Sequence, residues 1–185
     1  MTPSRSEAWK LLNEFTKSPS LIKHMIAVEA AMRAYAKKFN ADQDWWGIVG
    51  LLHDFDYERY PDLKDHPFQG AEVLRKHKYP EGIIHAILAH APHTGEPRDS
   101  LAKKAIYAVD ELCGFIVAVT LVRPSKHLSD VSVESVKKKM KDKAFARQVS
   151  REDIVQGAEE LEMPLNDHIA TVLLSMQGVA SELGL

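Results

Sequence analysis

The sequence predicts an all-α bundle built around one buried central helix, with a helical extension on its C-terminal side. Apolar residues recur at three- and four-residue spacing in one segment after another. Strand-like alternation never persists. Ser, Asp or Pro stands where each apolar segment begins, as helix N-termini prefer.

Ser4 or Ser6 caps a first helix ending near Lys17. Ser18 is a cap followed by Pro19 at the first helical position. The helix it opens carries the stripe Leu21, Met25, Val28, Met32 and Tyr35. Asp42 opens a third helix through Trp45, Trp46, Ile48, Leu52 and Phe55, and a polar, Tyr-rich loop follows from Asp56 to Asp65. Pro67 starts a short helix to about His77, and Pro80 starts another to about Ala91. Ala91–Asp99 contains Pro, Gly and Pro and is a loop. Asp99 caps the longest helix, Ser100 to Val122, with Leu101, Ala105, Ala108, Leu112, Phe115, Val119 and Val122 along one stripe. After Tyr107 its opposite side is apolar too, so this helix belongs in the middle of a bundle. Asp130 and Ser150 read as further N-caps, the second with Asp153 in a capping-box pattern. Pro164 opens a last helix. From about residue 128 the chain holds few candidate ligands and packs over the core.

A chain of 185 residues makes one domain, or one domain with an appendage. It is large enough to bury roughly 70% of its unfolded surface without disulfides. Hydrophobic residues at 45% and charged residues at 27% are ordinary for a soluble globular protein. The net charge of -2 excludes a globally basic nucleic-acid binder, so nucleic acid is not the expected partner. The longest apolar run, Leu112–Val122, is 11 residues. A bilayer needs about 20, so no membrane partner is expected. No secretory pattern is visible at the N-terminus, and a cytoplasmic, reducing location is the expectation. The single cysteine, Cys113, excludes a disulfide framework and a Cys-based zinc finger and reads as a small core filler. Beside it stand nine histidines, so nitrogen and oxygen would do most of the holding of any metal.

His24 shares the face of the second helix's apolar stripe, and taken alone it reads as a core histidine. His53-Asp54 closes the apolar segment WWGIVGLL. Gly47 and Gly50 precede Asp54 by seven and four residues on its helical face, which lets another helix or a ligand come close. Two adjacent polar residues at the inner end of an apolar helix need partners. Asp110 is the sharpest single clue. Its helical neighbours are Ile106, Tyr107, Cys113, Gly114 and Val117, and no Lys or Arg lies one turn away. A carboxylate there must be compensated by a metal ion or a distant basic side chain. His90 has Ile83, Ala86 and Ile87 on its face. His66, just before Pro67, reads from spacing alone as an N-cap or loop residue. His85 pairs with Glu81 at the surface, His77 is solvated, and His127 and His168 lie beyond the core helices. His93 is a loop residue near His90 suited to substrate contact.

In order, the pieces LLHDFD, HPFQGAEVL, AILAHAPHTG and AIYAVDEL, with His24 ahead of them, resemble the HD-domain superfamily of helical metal-dependent phosphohydrolases. The resemblance covers roughly Leu21 to Lys126. It implies a metal-binding HD core over residues 1–127 and a C-terminal helical extension over 128–185. The family's minimal set of His, His-Asp and Asp falls on His24, His53, Asp54 and Asp110. Members with two further histidines hold two metals, and the matching positions are His66 and His90. The resemblance implies that Asp54 bridges the two ions and is the catalytic carboxylate. The ions would be Fe, Mn, Zn or Ni, which such an N/O set does not distinguish. It further implies hydrolysis of a phosphate ester or anhydride of a small, nucleotide-like substrate through a metal-activated hydroxide. His93, Arg123 and Lys126 are the candidate substrate contacts.

The sequence departs from better-known branches. His53-Asp54 is followed by Phe55-Asp56 rather than Ile-Gly, and the lysine that some branches place next is missing. The Gly-Tyr-Pro motif of the cyclic-di-GMP phosphodiesterases is absent. Two rival functions stay open. One is a mixed-valent diiron oxygenase of the same superfamily. The other is a non-catalytic metal- or nucleotide-binding module, for which the Lys137–Lys143 stretch offers a local basic patch, although that stretch also reads as a solvated helix face.

Overall fold

The structure, a computed structural model, describes residues 3–185. These form ten α-helices and no strand, and with two short 3-10 turns 66% of the described residues are helical. The helices are α1 (Arg5–Phe15), α2 (Pro19–Lys38), α3 (Gln43–Leu52), α4 (Phe68–Lys76), α5 (Glu81–Leu88), α6 (Leu101–Leu121), α7 (Val133–Met140), α8 (Arg151–Glu160), α9 (Leu165–Gln177) and α10 (Ala180–Leu183).

Local chemistry sets most of the boundaries. Ser4 caps α1 in a full capping box, with Glu7 reaching back to the Ser4 amide. Asp42 caps α3 by accepting from the amides of Asp44 and Trp45. Three expectations are corrected. The cap of α6 is Ser100, whose hydroxyl accepts from the Lys103 amide, while its neighbour Asp99 pairs with the Lys103 amine at 3.0 Å. The cap of α7 is Ser132, boxed with Ser135, because Asp130 is already inside a 3-10 turn, Leu128–Asp130. Ser150 does cap α8, but the Asp153 carboxylate is not used for a box: it accepts from the Tyr107 hydroxyl at 3.0 Å. α3 also stops at Leu52, so Phe55 reaches the core from a turn.

α2 and α3 lie against each other so closely that a Cβ on Gly50 would sit 2.9 Å from the Glu29 Cα. A Cβ on Gly47 would meet the Arg33 guanidinium at 2.6 Å. The glycine face therefore serves helix–helix approach. α6 packs against α2, α5, α8 and α9, and most of its residues from Ala102 to Thr120 are buried. Cys113 is fully buried there, and burial raises its thiol pKa well above the ordinary value, as a core filler requires. One strip of α6 escapes burial. Gly114 and Val117 are only partly covered and Leu121 is exposed, so the helix is not enclosed all round. His168 on α9, expected to lie beyond the core, is fully buried between α2 and α6. Among the described residues no helix is long and apolar enough to cross a membrane.

Candidate metal centre

Four helices and one loop deliver the polar residues to one place. His24 comes from the second turn of α2. His53 and Asp54 stand just past the end of α3, and His90 just past the end of α5. His66 precedes α4, and Asp110 is in the middle of α6.

The two helix-end histidines are held by the same device. The last carbonyls of a helix lack intrahelical partners. His53 Nδ1 donates to the Gly50 carbonyl at 2.8 Å, and His90 Nδ1 donates to the Ile87 carbonyl at 2.6 Å, each three residues back. A carbonyl only accepts, so Nδ1 carries a proton in both rings and Nε2 is the atom turned inward, available as a ligand when unprotonated. His66 is held differently. Its Nδ1 lies 2.8 Å from Asp56 Oδ1, while Asp56 Oδ2 accepts from the Gly70 amide at 2.8 Å. Asp56 is fully buried, and a Cβ on Gly70 would sit 2.7 Å from its carboxyl carbon. Gly70 is what lets the amide come that near.

The inward nitrogens converge on Asp54. Asp54 Oδ1 is 3.2 Å from His66 Nε2 and 3.3 Å from His90 Nε2, and Asp54 Oδ2 is 3.6 Å from His53 Nε2. Asp110 Oδ1 lies 2.9 Å from His24 Nε2 and 3.4 Å from His53 Nε2. The groups His24, His53, Asp54 and Asp54, His66, His90 each place their ligand atoms within 4.8 Å of one another, with Asp54 common to both.

Three features of this cluster fit divalent cations. His66 Nε2 and His90 Nε2 face each other at 3.3 Å, and if both are unprotonated they repel unless something positive lies between them. His53 Nε2 is buried without a hydrogen-bond partner, which a native core rarely tolerates. No Lys or Arg among the described residues pairs with Asp54 or Asp110. Protons serve as a substitute when no metal is bound. Burial alone would lower the pKa of His53, but the Asp54 and Asp110 carboxylates outweigh it and raise it to about 9. His66 follows the same logic, with burial opposed by Asp54 and Asp56, and also rises to about 9. Burial would raise the two carboxylates, yet the surrounding histidines hold Asp54 and Asp110 well below the usual carboxylate range. A bound cation would take over the same negative charge in place of those protons.

All six residues read from the sequence as ligands thus come together. The candidate substrate contacts do not all join them. His93 is beside the cluster, its Nε2 donating to the His66 carbonyl at 2.9 Å and its ring edge-on to Phe68. Arg123 is 13 residues beyond Asp110, about 20 Å along the axis of α6 and the turn that follows it. Its Nε is buried without a partner. Lys126 lies further on, exposed and with φ of 54°. Asp56 was legible only as a departure in the Phe55-Asp56 dipeptide. The available signal was a second carboxylate two residues after Asp54, followed ten residues on by a histidine, a pattern that suits a carboxylate–imidazole pair.

Comparison with known proteins agrees with this geometry. The HD domain family model matches residues 21–114, which contain all six residues of the cluster. Ribonuclease Y of Lawsonia intracellularis (strain PHE/MN1-00) is 29% identical over 140 residues, covering 72% of this chain and 26% of the relative. The chain therefore spans about a quarter of that relative's length. No solved structure matches. On the family match over half its length and a His/Asp cluster of the right composition, the chain belongs to the HD domain superfamily of metal-dependent phosphohydrolases.

Proposed function

We propose that this protein hydrolyses a phosphate ester or anhydride of a small, nucleotide-like substrate at a dinuclear centre held by His24, His53, Asp54, His66, His90 and Asp110. The observation that carries the reading is the position of Asp54, with one carboxylate oxygen toward His66 and His90 and the other toward His53. Bound divalent cations supply Lewis-acid polarisation of the phosphoryl oxygens and lower the pKa of water toward neutrality. The chain's own residues do the rest. Asp54 spans the two positions as the shared carboxylate. The Nδ1 bonds of His53 and His90 fix their ring orientation, and Asp56 fixes that of His66. His93, bonded to the His66 carbonyl beside the cluster, is the candidate substrate contact. Arg123, 13 residues beyond Asp110, and Lys126 remain candidate contacts for parts of the substrate away from the phosphoryl group. Residues 1–127 carry the chemistry in this reading, and 128–185 form the supporting extension.

The name of the ribonuclease relative points to a phosphodiester substrate for that protein, so oligoribonucleotides belong in the assay beside nucleotides and phosphomonoesters. The test is elemental analysis of protein purified without chelator, followed by phosphate release across that panel. Two equivalents of metal per chain and release from a small ester or anhydride are expected. Oxygen uptake with no phosphatase activity would overturn the reading in favour of a diiron oxygenase.

A further inference from the structure

α6 leaves one strip uncovered, and it leads away from the cluster. Gly114, Val117 and Leu121 follow Asp110 by four, seven and eleven residues, so they continue its face of the helix. Across from them stand Pro19 and Lys23 of α2 and Leu183 of α10. Together with His24 they line a cavity of about 360 Å³. That volume lies in the range of small-molecule sites. His24 belongs to both the cavity and the metal cluster, so the two adjoin at its ring.

Gly114 distinguishes this strip from the rest of the core. A Cβ there meets no atom within 4 Å, whereas Gly50 and Gly70 each stand against another part of the chain within 3 Å. Packing does not demand a glycine at 114, and a glycine inside a helix costs stability. The groove is walled mainly by apolar side chains and ends at Leu121, which is 48% exposed. Its one cation, Lys23, precedes His24 directly and makes no ion pair among the described residues. So few polar groups cannot read hydrogen-bonding edges. They favour an occupant that is apolar along its length and anionic at the end near His24.

We propose that this groove holds the apolar body of the substrate, making the preferred substrate a phosphate ester of an aliphatic or aromatic alcohol, with Gly114 setting how bulky that body can be. The proposal rests on the phosphohydrolase reading and, within it, favours the ester over the anhydride and an apolar body over a nucleotide-like one.

Hydrolysis-resistant alkylphosphonates, from methyl to octyl, test it by calorimetry on the metal-loaded protein. Affinity should rise roughly fourfold for each methylene buried until the groove is filled. Gly114→Leu should flatten that rise after the first few carbons, and Leu121→Glu should weaken only the longest members. Metal content and thermal melting establish that each variant is folded. No binding, equal affinity along the series, or a rise unchanged in Gly114→Leu would each overturn the groove assignment. Phosphate release from the matching alkyl phosphates separates the two readings. Chain-length-dependent binding without release from any ester keeps the groove and sinks the phosphohydrolase. Release indifferent to chain length does the reverse.

Discussion

His53 and His168 are both completely buried, and each donates one ring nitrogen to a main-chain carbonyl, of Gly50 and of Ala108. They differ in what the second nitrogen meets. His168 Nδ1 accepts from the Tyr35 hydroxyl at 2.6 Å, a neutral partner that completes the ring's needs. His53 Nε2 has no hydrogen-bond partner and faces two carboxylates at 3.4 and 3.6 Å. Burial accordingly lowers the pKa of His168 to about 4, while the carboxylates raise that of His53 to about 9. The contacts belong to opposite faces of one helix, since Ala108 and Asp110 are two residues apart on α6. Burial therefore does not mark a histidine as functional or structural. The partner of its second nitrogen does.

The strongest way to break this comparison is Asp54→Ala, which removes the shared carboxylate. Metal content should fall from two per chain to none by elemental analysis, and hydrolysis should vanish with it. A variant that keeps two metals would disprove the bridging role. His168→Gln, in contrast, should leave the metal content at its wild-type value.

Acid and base should act on the two environments with opposite sign. His168 has its folded pKa depressed from about 6.5 to about 4, so the unfolded chain binds more protons in that window. Its contribution is complete above pH 6.5 and is lost as pH falls toward 4, about 3 kcal/mol in total. Urea midpoints at pH 7 and 4.5 should show this loss in the wild type and not in His168→Gln. In the chelator-stripped protein, His53 and His66 have raised folded pKa values. Their contribution is complete below about pH 6.5 and is lost as pH rises through about 9. Adding a divalent metal should abolish that alkaline loss.

Asp56→Asn sharpens the comparison within the cluster, because it alters the Nδ1 partner of His66 and leaves those of His53 and His90 untouched. Loss of such a supporting carboxylate typically costs about 10–100-fold in metal affinity. The loss should fall on one of the two metal positions, as should that of His66→Ala, and competition with a chromogenic chelator would resolve the two. An equal loss at both positions would mean that Asp56 holds the whole loop rather than one ring. The smallest effect is expected at His85, whose pairs with Glu96 at 2.9 Å and Glu81 at 3.7 Å are partly exposed. His85→Ala should change stability by less than about 0.5 kcal/mol and leave metal binding alone.

Much of this was readable residue by residue. Helix spacing and caps located α2, α3 and α6 to within a few residues, because their signals are local. Asp110 stood out because no helical neighbour could compensate it. The errors share one physical origin. Asp99 and Ser100 are adjacent, and both are good caps; in the fold Ser100 takes the cap while Asp99 pairs with Lys103. Asp56 is an ordinary loop residue until the chain folds His66 and the Gly70 amide onto it. His168 has no local mark of burial, since its partners, Tyr35 and Ala108, are 133 and 60 residues away.

By itself the sequence determined the helices, since periodicity and capping act within a few positions of the chain, and its resemblance to a known family, rather than spacing, pointed to the six converging residues and their order. Tertiary structure alone decided which buried histidine faces carboxylates and which faces a tyrosine. It also decided that a second aspartate aligns His66 and that Gly114 opens onto space while Gly50 and Gly70 are filled. Those outcomes depend on contacts between elements distant in sequence, and the electrostatics of a buried group are set by whatever packing brings to its far side.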